Sequence, residues 1–322
     1  MMFANTLYKL IGNRLSPAGQ NARLSILIYH RVLAEQDTIF PHETTAASFD
    51  AQLSRLKIAF NVLPLAEAVA RLKAGTLPAR AACITFDDGY ADNLTLALPV
   101  LQKHGLHATF FIATAYLNGG RMFNDTVIEA IRHSRSDEID LSALGLGRHK
   151  VDTAPAKHDA IAKILPQVKY LSLNQREGKV AELAHMVSAI PLPDDLMMTT
   201  AQLKTLHAAG MGIGCHTNRH PILANLDDTA LRQEIMEGKE YLESTLGENM
   251  TLFAYPNGKP GTDYLPQQAA IVRELGFEAA VSTQWGAARR NSDLFQLPRF
   301  TPWHPSLRRF VPALLENLRK RV

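Results

Sequence analysis

Six short apolar runs recur along the chain: LSILIY (24–29), ACITF (82–86), HATFFIA (107–113), GMGIGC (210–215), TLFAY (251–255) and EAAVST (278–283). They read as strands, and amphipathic segments lie between them. Residues 200–209 carry Leu203 and Leu206 behind two threonines able to cap a helix, and Gly210 closes it. Residues 228–246 place Leu231, Ile235, Leu242 and Leu246 at helical intervals before Gly247. Pro99 interrupts a helix, so the segment after Gly89 is expected to turn first and become helical near Leu98, stopping at Gly105. Strands alternating with helices in this way form a mostly parallel sheet, an α/β fold.

The rhythm fails between about 115 and 196. That stretch is rich in charge and shows no convincing strand, while Val180, Leu183, Ala184 and Val187 repeat at helical spacing until Pro191. It reads as a helical insertion long enough to cover one side of a site, with a mobile polar tip around Leu141–Pro155. The expected organisation is a helical segment over 1–23, then one domain over 24–322 interrupted by this insertion.

Chemistry-bearing residues follow directly after the apolar runs. His30 follows the first, Asp87 and Asp88 the second, His216 the fourth, and Pro256 with Asn257 the fifth. In parallel α/β folds the carboxyl ends of the strands share one face, where sites are assembled. A doubly wound sheet gathers only the strands beside its switch point, whereas a barrel gathers them all. The pattern therefore favours a barrel.

Two of these strand ends suggest a metal. ITFDDG (84–89) sets two carboxylates side by side at the end of a buried strand, a costly arrangement unless the pair is a solvated turn or has a partner. CHTNRHP (215–221) spaces His216 and His220 so that both reach one cation if the segment turns tightly. Two histidines and one carboxylate form a three-ligand catalytic set. One aspartate is expected to bind and the other to sit beside the ion, because successive side chains leave an extended backbone in different directions. Spacing alone does not say which.

Composition narrows the partners. With 34 basic and 31 acidic residues the net charge is +3, too even for a nucleic-acid binder. Two cysteines, Cys83 and Cys215, imply no disulfide framework and suit a reducing compartment. No apolar run is long enough to span a bilayer, and MMFANTLYKLIGNRL lacks the unbroken apolar core of a secretory signal, so cytoplasmic action is expected. In that segment Phe3, Leu7, Leu10 and Ile11 share one helical face. Two readings follow: a helix docked on the main domain, or a peripheral membrane contact. Nothing in the sequence sets the oligomeric state.

TFDDG (85–89), HTNRHP (216–221) and FAYPNG (253–258), in this order, resemble the motifs of the polysaccharide deacetylases of carbohydrate esterase family 4, which share the NodB homology domain. The likeness covers about 24–302 apart from the insertion. It implies a distorted (β/α) barrel of about seven strands that removes N-acetyl or O-acetyl groups from saccharides. It also implies a divalent metal, usually Zn2+, with Co2+ or Ni2+ as alternatives. By resemblance Asp87 matches the catalytic base, Asp88, His216 and His220 the metal ligands, and the Asn257 N–H an oxyanion-hole donor. In a permuted subgroup, the poly-N-acetylglucosamine deacetylases, the general acid is a histidine from an early strand. IYHRV (28–32) looks like that version and points to His30, with His304 in PWHPS as its rival. Ala254 stands where the family often carries an arginine that orients the base, and Arg299 is offered as its replacement. Tyr90, Tyr255, Pro256, Trp285 and Arg299 are the candidate substrate-side residues, Tyr90 either lining the site or packing its loop. Hydrolysis of another non-peptide C–N bond, or an inactive sugar-binding module, are the competing functions.

Overall fold

The computed structural model describes residues 2–302 and 306–320. Strands β1 (Leu24–Tyr29), β3 (Ala81–Phe86), β4 (Thr109–Ile112), β7 (Gly212–Cys215), β8 (Leu252–Ala254) and β9 (Ala279–Val281) lie side by side in that order, all parallel. The two-residue β2 (Asn61–Val62) joins β3 off this path. Beyond β9, Leu297 pairs with Val281 and Phe300 with Leu27, so residues 297–300 carry the curled sheet back to β1. This is the expected distorted barrel, its last gap bridged by two isolated pairs.

Side-chain parity sorts the core into two compartments. Leu24, Ile26, Ala81, Cys83, Phe111, Leu252, Ala254, Ala279 and Val281 cluster together with α3 (Leu65–Ala74). Their alternates, including Leu27, Ile84, Phe86, Phe110, Cys215 and Phe253, cluster with residues from the helices α2 (Ala46–Ala59), α8 (Thr200–Ala208), α9 (Asp228–Leu246), α10 (Pro266–Glu274) and α11 (Leu307–Asn317). Burial on both faces explains why the strands read as unbroken apolar runs.

Two expectations are corrected. Helical turns begin at Asn93, not near Leu98: a wide turn over Asn93–Ala97, with the Leu98 N–H reaching the Asn93 carbonyl, leads into α4 (Leu98–His104). Pro99 has no N–H to donate, and the i→i+5 turn precedes it without needing one. The insertion, expected to lack strands, holds an antiparallel hairpin of β5 (Glu138–Leu141) and β6 (Gly147–Lys150). Its supposed mobile tip instead buries Leu141, Leu144, Leu146 and Val151 in a core shared with α5 (Phe123–Arg132), α6 (Ala154–Lys169) and α7 (Leu173–Val187). A four-residue strand facing polar Arg148, His149 and Lys150 leaves little apolar pattern to read. The insertion's end is stitched to the barrel by Ala91 N–H to Leu196 carbonyl at 2.8 Å and Met198 N–H to Gly89 carbonyl at 2.9 Å.

Candidate active site

Asp87 ends β3 on the same side as Thr85, and Arg299 meets it from the closing segment. The guanidinium donates to both carboxylate oxygens, Nη1 to Oδ1 and Nη2 to Oδ2, each at 2.7 Å. Arg299 is itself fixed by Nε to the Ser282 carbonyl at 2.9 Å and is 0% exposed. Burial opposes the charge on Asp87, but Arg299, His216 and His30 together outweigh it and hold the carboxyl below its usual range. The planar fork leaves the carboxylate one orientation.

Asp88 turns away from its neighbour because its backbone is left-handed, with φ +77°, and Gly89 follows at φ +96°. Thr217, His220 and Asn257 share this positive-φ region, so four of the six such non-glycine residues described lie here. That concentration of strained backbone is what functional sites show. Asp88 Oδ1 is buried without a hydrogen-bond partner, 3.4 Å from His216 Nε2 and 3.6 Å from His220 Nε2.

His216 follows β7 and donates through Nδ1 to the Ala254 carbonyl at 2.7 Å, which turns Nε2 toward Asp88. Burial disfavours a charged His216, yet Asp88 and Asp87 outweigh it and raise the pKa. Burial and then His216 hold His220 neutral, down to about 3. One donor atom from each of Asp88, His216 and His220 lies within 4.8 Å of the others. A buried carboxylate with an orphaned oxygen, facing two imidazole nitrogens, fits a divalent cation.

The loop that carries the histidines is braced from behind. His220 N–H donates to Thr217 Oγ1 at 3.1 Å, and Arg219 N–H to Glu234 of α9 at 2.8 Å. A Cβ on Gly238 of α9 would sit 2.7 Å from the Thr217 backbone, so glycine lets the helix approach. Arg176 of α7, buried, donates to the His220 carbonyl at 3.2 Å and stacks on Phe123.

A cavity of about 570 Å³ opens over these groups. Its barrel wall includes His30, Asp87, Asp88, His216, His220 and Asn257; its insertion wall includes Phe123, Leu165, Lys169 and Tyr170. His30 bears electrostatically on both Asp87 and Asp88 and also borders a smaller cavity beside it. The Asn257 N–H has no backbone acceptor among the described residues. His304, the rival acid, lies outside the described residues.

Not every candidate gathers here. Tyr255 is a core strut, stacked on Tyr264 at 3.7 Å and donating to the Phe295 carbonyl at 2.8 Å. Pro256 is buried in the turn and lines no part of the larger cavity. Trp285 is 46% exposed and packs beside Phe300 and Lys320, away from that cavity. Arg299 stands behind the Asp87 carboxylate and lines neither cavity. Tyr90 walls the smaller cavity and donates to Asp125 at 3.0 Å. Sequence reasoning missed Arg176, Leu165, Lys169 and Tyr170. Only the helical spacing of Ala162, Leu165, Pro166 and Lys169 signalled a shared face.

Comparison with known proteins fits this geometry. The family model for polysaccharide deacetylase matches residues 74–280. The chain belongs to the polysaccharide deacetylase family. YxkH of Bacillus subtilis (strain 168), whose name is a provisional polysaccharide deacetylase description, is 22% identical over 280 residues, covering 86% of this chain and 71% of that protein. The fold is shared with the Streptococcus pyogenes deacetylase PplD in complex with acetate, at TM-score 0.60 and 20% identity over 93% of this chain and 99% of that one. IcaB from Ammonifex degensii has TM-score 0.57 and 20% identity, over 95% and 99%. The family match includes Asp87, Asp88, His216, His220 and Asn257 but neither His30 nor Arg299. At Ala254 there is no side chain to meet Asp87, and the guanidinium that does meet it, Arg299, comes from the closing segment.

Proposed function

We propose that the chain is a metal-dependent deacetylase that hydrolyses acetamido groups of a saccharide. The observation that carries this reading is the division between neighbours: Asp87 is held by Arg299, while Asp88 turns an unpartnered oxygen toward two histidines. A divalent ion held by Asp88, His216 and His220, Zn2+ by preference, supplies Lewis acidity toward the acetyl carbonyl and the attacking water.

The chain's own residues do the rest. Asp87, ionised and locked by Arg299, accepts the water proton as the new C–O bond forms. The Asn257 N–H donates to the oxygen that becomes negative, at a position fixed by its left-handed backbone. His30, at the cavity wall, gives a proton to the departing nitrogen, which leaves poorly as an anion. The insertion wall, apolar at Leu165 and aromatic at Tyr170, bounds the sugar.

Acetate release from N-acetylated and O-acetylated oligosaccharides, with added zinc and with a chelator, tests the reading. The expected result is release from the N-acetylated series that stops on chelation and returns with metal. Ureide ring opening without acetate release would move the chain to another C–N hydrolase. Saccharide binding by a protein that retains no metal would make it an inactive module.

A further inference from the structure

The first helix, α1 (Met2–Leu15), docks on the main domain along one face only. Tyr8 and Leu15 pack on the outer core, and a methyl on Gly12 would lie 3.4 Å from Leu315 of α11, so one face is docked. The other face is bare. Leu7, Leu10 and Ile11 are 54%, 63% and 40% exposed, and exposed Arg14 continues the stripe at helical spacing. α1 contains no carboxylate.

At the foot of this stripe opens a cleft of about 750 Å³. Arg14, Arg23, Arg289 and Arg290 line it with Gln20 and Asn291, and no carboxylate is among its described lining residues. Arg23 donates to the Leu318 carbonyl beyond α11, beside exposed Arg319 and Lys320. Arg290 donates to Gln20 at 3.0 Å, and Arg289 Nε is buried without a partner. The whole chain is only +3, so positive charge is concentrated here.

We propose that this surface seats on an anionic phospholipid bilayer, with Leu7, Leu10 and Ile11 entering the interfacial layer and the arginine cleft receiving lipid phosphates. An apolar stripe ending in a basic cleft is what the boundary between acyl chains and anionic headgroups complements. A free phosphate would use the cleft and leave the stripe unexplained. The proposal does not depend on the chemistry at the barrel mouth.

The test is co-sedimentation of the full chain with vesicles of phosphatidylcholine alone or mixed with phosphatidylglycerol. Association is expected with the anionic vesicles only, weakening as salt screens the headgroups. Arg14→Glu with Arg290→Glu should weaken it by roughly fivefold or more per side chain. Leu7→Ser with Leu10→Ser should weaken it about tenfold with the melting temperature unchanged. Vesicle binding that ignores either double variant overturns the proposal. So does binding of inorganic phosphate in the cleft without vesicle association. A dimer in light scattering that Leu7→Ser with Leu10→Ser dissolves would assign the stripe to a second copy instead.

Discussion

On the barrel side of the cavity, ionisable groups are fixed by short contacts: Asp87 by Arg299, His216 by the Ala254 carbonyl, the His220 loop by Glu234 through Arg219. On the insertion side the wall is largely apolar, supplied by helices with a hydrophobic core of their own. The two sides are tied by polar links, among them Arg176 on the His220 carbonyl, Tyr116 on the Arg219 carbonyl, Tyr170 on Asp263, Arg132 on Asp37 and Tyr90 on Asp125. In the proposed function bond-making falls to the barrel and substrate fit to the insertion, and that division can be broken from either side.

Of the contacts that set the two sides apart, Arg299 is expected to matter most, to stability and rate together. Arg299→Met strands a buried carboxylate, which should cost about 3 to 5 kcal/mol in denaturant unfolding. It should also lower kcat by about a hundredfold or more, since the base loses its orientation. A variant with unchanged kcat would show that Asp87 needs no such holder.

Asp125, on the seam between the two sides, comes next. Burial raises its pKa to about 7 although Arg31 opposes the shift. A raised folded value contributes stability in full below the unfolded pKa, about 3.9, and loses it as pH rises through 7. Wild-type unfolding free energy should fall over that window by an amount on the order of 4 kcal/mol at most, and Asp125→Asn should flatten the fall. Parallel pH profiles would show that Asp125 does not set this pH dependence.

The smallest effect belongs to the insertion wall. Tyr170, half exposed at the cavity rim, should on replacement by alanine raise KM about fivefold and leave kcat and metal content near wild type. Loss of kcat there would blur the division between the two sides.

What could be read in advance follows the same line. Strands buried on both faces write themselves as apolar runs, so β1 was bounded to the residue and the polar strand ends could be named from spacing. Arg299 was legible only as a loose match, because the closing segment that delivers it makes isolated pairs and no strand pattern. The insertion hid its hairpin in four-residue strands, and its cavity wall in a helix face whose function depends on where the helix packs. Tyr255 and Trp285 pack on neighbouring rings and do not line the larger cavity, since aromatic residues near a motif serve packing as readily as binding.

If the neighbouring carboxylates divide base and ligand duties, Asp87→Asn separates the two when bound zinc and acetate release are measured on the same sample. Metal should remain bound at wild-type stoichiometry while release falls about 10³-fold. Release near the wild-type rate, or loss of the metal together with activity, would contradict that division.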